Sequence, residues 1–228
     1  MISNLVKDQV RAISQRVGSV AARTGLTPDA ATILGLLINC GVAAVIAGGN
    51  LQLGGVLLLI AAPFDMLDGA IARATGKASK FGAFLDSTLD RYSECVLLFG
   101  LLWHVMHTPE NQTMRALLCF AAVTGSLLVS YNRARAEALG FDNEVGLFAR
   151  PERVVALGAF LIFGWLDAIL WILAVLAHLT SMQRIVHVWR TDRANRNPPP
   201  PAELIRFPRL RAIRGMRQHG SRKISQKR

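Results

Sequence analysis

A series of long apolar runs constrains this chain more than any other feature. They lie roughly at 31–48, 51–73, 81–105, 114–137, 151–165 and 167–188. A helix needs about 20 apolar residues to cross a bilayer, and packed helices can be shorter. Six membrane helices are therefore expected, the last two joined by a tight hairpin at Gly164-Trp165-Leu166-Asp167. Hydrophobic residues make up 52% of the 228, and the mean hydropathy is +0.34. Both values point to a membrane protein rather than a soluble one. Cys40, Cys95 and Cys119 all fall inside apolar stretches and are odd in number, so packing explains them better than a disulfide frame or a metal site.

Charge supplies orientation. Residues 190–228 hold 12 Lys/Arg against 2 Asp/Glu, a balance of +10, while residues 1–189 hold 14 against 13, a balance of +1. The basic pI belongs to a tail and does not require nucleic acid; an anionic membrane surface is the simpler partner. Within the apolar region, the basic loop residues from Lys7 through Arg73, Arg133 and Arg150 to Arg184 fall on one side, and Arg115 alone on the other. The positive-inside rule then places both termini in the cytoplasm of a multi-pass plasma membrane protein. Trp103, Trp165 and Trp171 mark the outer boundary and Trp189 the inner one, as an aromatic belt does.

Three regions follow. Residues 1–30 form an amphipathic juxtamembrane segment, with Ile2, Val6, Val10, Ile13, Val17 and Val20 on one helical stripe at the membrane surface and no cleavable leader. Residues 31–189 form the six-helix membrane catalytic domain, which opens behind Thr27 as a helix cap before Pro28. Residues 190–228 form a basic cytoplasmic tail with a stiff Pro198–Pro201 spacer, for which disorder and a lipid-bound interfacial segment both fit. The fold class is thus an all-α integral membrane protein of six transmembrane helices with an N-terminal interfacial helix.

The chemistry lies in FDMLDGAIARATGKASKFGAFLDSTLDR, residues 64–91. Asp65 and Asp68 are three apart, and Asp86 and Asp90 four apart, so each pair shares one helix face. Topology brings both pairs to the cytoplasmic side. Four carboxylates at the ends of apolar stretches repel one another and are costly unless cations meet them. Two divalent ions answer that repulsion, and hard oxygen ligands favour Mg2+ or Mn2+. Gly69 and Gly82 leave room for a bulky ligand, and Arg73 suits a phosphate oxygen. The set fits metal-assisted phosphoryl transfer. Solvated carboxylates at two helix ends are the plainer alternative, and four in register with two glycines speak against it.

The run Asp65-x2-Asp68-Gly69-x2-Ala72-Arg73-x8-Gly82-x3-Asp86-x3-Asp90 resembles the signature of the CDP-alcohol phosphotransferase family at every specified position. The resemblance covers roughly residues 1–190. It implies a homodimeric membrane enzyme that moves a phosphatidyl-type group from a CDP-linked lipid to an alcohol and releases CMP. It also implies a metal held by Asp65, Asp68 and Asp86, and a second held by Asp65, Asp86 and Asp90. Asp90 would be the general base. Gly69, Arg73 and Ser79, with Asp29 and Thr32, would meet the CDP part of the donor.

Ser130-Tyr131-Asn132-Arg133-Ala134-Arg135 and Arg150-Pro151-Glu152-Arg153 flank one inner loop, and paired arginines suit an acceptor that carries its own phosphate. The stretch is similar to bacterial phosphatidylinositol phosphate synthases. That likeness implies CDP-diacylglycerol as donor and inositol phosphate as acceptor, with Arg133, Arg153 and Arg184 at the acceptor phosphate. Arginine stands at 133 where lysine is usual. The same arginines also satisfy the positive-inside rule without binding anything. Glycerol phosphate, serine or inositol as acceptor, and a divalent-cation transporter built on the same aspartates, are the competing readings. The histidines are scattered, with no pair at ligand spacing beside the aspartates.

Overall fold

The structure is a computed structural model that describes residues 25–196 apart from Glu144. The expected surface helix over residues 2–20 and the tail beyond 196 lie outside the described residues. Helix α1 spans Pro28–Ala47 and α2 spans Leu51–Ala61. A 3-10 turn at Ala62–Met66 leads into α3, Leu67–Thr75. Then come α4, Lys80–Met106, and α5, Gln112–Ala138. Helix α6 spans Arg150–Ile162 and α7 spans Leu166–Arg196. No strand occurs among the described residues.

Local chemistry sets several of these ends. Thr27 caps α1, accepting a hydrogen bond from the Ala30 N–H at 3.2 Å, with Pro28 in the first turn. The hairpin between α6 and α7 turns on Gly164, at φ +72°, where the Trp165 N–H reaches back to the Phe160 carbonyl at 2.9 Å. The apolar run at 51–73 is not one helix. Pro63 has no N–H for the ladder and its ring crowds the preceding turn, so the chain tightens to 3-10 over Ala62–Met66 before α3 resumes.

Four stretches are long and apolar enough to cross a membrane: Pro28–Ala47, Leu51–Thr75, Gln112–Ala138 and Leu166–Arg196. The expected count was six. Helix α4 has the length, but Lys80, Asp86, Asp90, Arg91 and Glu94 interrupt the apolarity of residues 80–94. Helix α6 has 13 residues, short of the roughly 20 a lone span needs. Large apolar side chains such as Leu37, Phe99, Phe120, Trp171 and Leu179 stay exposed, a surface suited to hydrocarbon rather than water.

Helix α1 packs on α4, α2 on α6, and α4 on α5, around buried Ile46, Leu58, Leu101, Leu161, Ile169 and Leu170. Helices α1 and α4 run the same way, since Asp29 lies against Gly82 and Ala43 against Gly100. Helices α5 and α7 also run together. Arg115 grips Asp167 with two hydrogen bonds, at 2.6 and 2.8 Å, at their starts, and Asn132 meets the Ser181 hydroxyl at 2.8 Å further along. The polar end of the bundle, with its aspartates, is thus opposite the Arg115–Asp167 clasp.

The α1–α4 crossing is close because Gly100 has no side chain: a Cβ there would lie 2.5 Å from the Ala43 carbonyl oxygen. Replacing a helical glycine gains up to about 1 kcal/mol in propensity, whereas overpacking costs about 1–3 kcal/mol. The obstructing atom is backbone and cannot rotate away, so sterics win. Gly100→Val is expected to lower the thermal midpoint in detergent. An unchanged or higher midpoint would show that α1 and α4 separate freely.

Candidate active site

The site is assembled from five segments at the polar end. The first turn of α1 brings Asp29 and Thr32, the 3-10 turn Asp65, α3 Asp68, Gly69 and Arg73, the start of α4 Ser79 through Asp90, and the start of α6 Arg150. The Thr32 hydroxyl donates to Asp68 Oδ2 at 2.8 Å, which ties α1 to α3. Ser79 caps α4 by accepting from the Gly82 N–H at 2.8 Å. A Cβ on Gly82 would stand 3.3 Å from Asp29 Oδ1, and one on Gly69 would stand 3.1 Å from an Arg73 guanidinium nitrogen. Side chains at these two positions would crowd the groups that line the cleft.

Two cavities meet these residues. An open cleft of about 210 Å³ is lined by Asp29, Thr32, Gly69, Arg73 and Ser79, the five expected donor-binding residues, together with Asp68, Gly82, Asp86 and Lys77. A pocket of about 10 Å³, room for about one water-sized body, is lined by all four aspartates with Thr32, Gly35 and Ser93. Thr32, Asp68 and Asp86 line both.

The four carboxylates share a cavity but are not drawn into a ligand set: no group of three His, Cys, Asp or Glu side chains among the described residues is at metal-holding geometry. Instead Arg150 stands between two of them, donating to Asp65 Oδ2 at 2.8 Å and pairing with Asp90 Oδ1 at 2.7 Å. The donor set itself is four hard carboxylates without sulfur or imidazole, which fits a small divalent cation after modest side-chain rotation.

The three expected acceptor residues stand apart from both cavities. Arg133 pairs with Glu137 at 2.7 Å on a half-exposed turn. Arg153 is 2% exposed and bidentate on Glu94, at 2.6 and 2.9 Å, with a further bond to the Phe148 carbonyl at 3.0 Å. Arg184 is buried and donates to the Val145 and Val129 carbonyls.

Two residues of the site, Lys77 and Glu94, are not singled out by the sequence reading, which gives Arg150 only as one of the paired arginines suited to an acceptor phosphate. Lys77 lines the cleft, Arg150 bridges the aspartates, and Glu94 holds Arg153. Signals for Lys77 and Glu94 exist. Glu94 continues the four-residue spacing of Asp86 and Asp90, and Lys77 lies inside the same motif.

A bundle of apolar helices with an acidic cleft at one end, built on this aspartate spacing, defines a class of membrane transferase. The chain belongs to the CDP-alcohol phosphatidyltransferase family, whose profile matches residues 25–183. It is 37% identical over 196 residues to the archaetidylinositol phosphate synthase of Methanothermobacter thermautotrophicus, a match covering 83% of this chain and 97% of that one. Among solved structures it resembles the Mycobacterium tuberculosis phosphatidylinositol phosphate synthase with CDP-DAG bound, with a TM-score of 0.73 and 33% identity over 78% of this chain and 94% of that one. It also resembles the same enzyme in complex with manganese and citrate, with a TM-score of 0.71 and 33% identity over 77% and 88% of the two chains.

Proposed function

We propose that the chain transfers a phosphatidyl group from CDP-diacylglycerol to inositol phosphate, giving phosphatidylinositol phosphate and CMP. One observation carries this reading: the expected donor-binding residues and the metal-binding aspartates line adjoining cavities that share Asp68 and Asp86. The acceptor draws support from the relatives. Their names differ in the lipid, archaetidyl against phosphatidyl, but agree on inositol phosphate. The archaeal name makes CDP-archaeol a second donor to test.

In this reading Asp65, Asp68 and Asp86 hold one Mg2+ or Mn2+, and Asp65, Asp86 and Asp90 a second. The ions supply charge neutralisation at the diphosphate when bound. Arg73 and Lys77 bind diphosphate oxygens, while Asp29, Gly69 and Ser79 frame the nucleotide side of the cleft. Thr32 holds Asp68 in register. Asp90 accepts the acceptor hydroxyl proton as the new O–P bond forms and the P–O bond to CMP breaks. No covalent enzyme intermediate is involved. Proximity and orientation carry much of the rate, since an ionised carboxylate beside cations is a weak base. Arg133, Arg153 and Arg184 serve the acceptor phosphate, directly or by shaping the wall behind it.

The surrounding architecture belongs to the same proposal. Helices α4 and α6 complete six spans, sheltered by their neighbours. Both termini and the cleft face the cytoplasm at the plasma membrane. Residues 1–30 lie on the membrane surface, 31–189 form the catalytic domain, 190–228 form a basic tail, and the protomers pair as homodimers.

An acceptor panel with CMP readout tests the function. Purified protein should release CMP from CDP-diacylglycerol only with both divalent metal and inositol phosphate, and EDTA should stop it. CMP release with glycerol phosphate or free inositol instead would change the acceptor. No release with any alcohol, from either CDP-lipid, would end the enzyme reading.

A further inference from the structure

Helix α4 presents acids at every fourth position, Asp86, Asp90 and Glu94, and α6 answers with Arg150 and Arg153. The two arginines are held differently. Arg153 is buried, bidentate on Glu94 and further bonded to the Phe148 carbonyl. Arg150 divides its terminal nitrogens between Asp65 and Asp90. Its Nε is buried without a hydrogen-bond partner, while 23% of the side chain is exposed. It is also the first residue of α6, where the helix dipole disfavours a cation. Among the described residues, Asp65 and Asp90 supply the acidic contacts that keep it there.

Those carboxylates line the small aspartate cavity and are the ones a divalent ion would use. A guanidinium and a metal ion repel each other and weaken each other's hold on a shared carboxylate. We propose that Arg150 is a built-in counter-cation that competes with the divalent metal for Asp65 and Asp90, sets the metal affinity, and gives up those carboxylates as metal binds. The fixed Arg153–Glu94 pair, one turn further along α6, anchors the helix while the Arg150 side chain moves. Arg150 is thus a positioning residue. The proposal rests on the metal-dependent reading above.

The test uses the full chain in nanodiscs with Mn2+ alone, free Mn2+ being counted by electron paramagnetic resonance. Arg150→Gln should bind Mn2+ at least about tenfold more tightly than wild type and melt lower in EDTA. Arg150→Lys, which keeps the charge, should stay within about threefold of wild type. Equal or weaker binding by Arg150→Gln, or binding by Arg150→Lys as tight as by Arg150→Gln, overturns the proposal. A wild-type measurement covers a variant that fails to fold. Mn2+ should raise modification of Arg150 by an arginine-specific dicarbonyl, read by peptide mass spectrometry, and leave Arg153 protected. Unchanged or reduced labelling of Arg150 overturns the proposal. Absence of Mn2+ binding also overturns it, and CMP release from the same preparation decides the transferase reading separately.

Discussion

Asp90→Asn is expected to lower CMP release by roughly 10²–10⁴-fold, the range for loss of a general base, while the protein still folds. The side chain lines the aspartate cavity, and amide for carboxylate preserves its size. The change removes one of four mutually repelling charges and leaves Arg150 its 2.8 Å contact with Asp65. The two electrostatic effects oppose each other, so the thermal midpoint should move little, by about 1 kcal/mol or less in stability. The measurement is kcat for CMP release at saturating donor and acceptor, with the midpoint taken on the same sample. Full activity would remove Asp90 as base. A collapsed midpoint would make it a structural residue instead.

Glu94→Leu should produce the largest loss of stability. It strips the partner from an arginine that is 2% exposed and uses both arms of its guanidinium on that carboxylate. Breaking a buried ion pair from one side costs about 3–5 kcal/mol, because the remaining charge stays desolvated. The double variant Glu94→Leu with Arg153→Met replaces both charges with apolar groups and should recover most of that loss. This pair of variants also separates two roles for Arg153. If it only braces α4 against α6, the double variant keeps its KM for inositol phosphate. If it touches the acceptor phosphate, stability returns but the acceptor KM rises. A single Glu94→Leu variant as stable as wild type would show that water reaches the pair.

Much of the site is legible in the sequence. Asp65, Asp68, Asp86 and Asp90 share faces because helical periodicity is local. Gly69 and Arg73 belong to the same motif, Asp29, Thr32 and Ser79 follow only from the family resemblance, and these last five line one cleft. The capping role of Thr27 and the turn at Gly164 are local in the same sense. What escapes such a reading is pairing across the bundle. Arg153 reaches Glu94 over 59 residues, and Arg150 reaches Asp65 over 85. Periodicity says which way a side chain leaves its own helix, not which helix stands opposite. Arginines that satisfied the positive-inside rule equally well therefore gave no sign of being anchored inside the protein. The break at Pro63 was visible as a residue but hidden inside an apolar run long enough to span.

The amino-acid sequence by itself determined the helical membrane class and the reactive motif, because span length, apolarity and helical spacing are properties of contiguous residues. The tertiary structure alone decided which arginines the acids hold. A buried charge is stable only beside its counter-charge, and that neighbour comes from a distant segment brought close by packing at glycines such as Gly100 and at the bend beside Pro63.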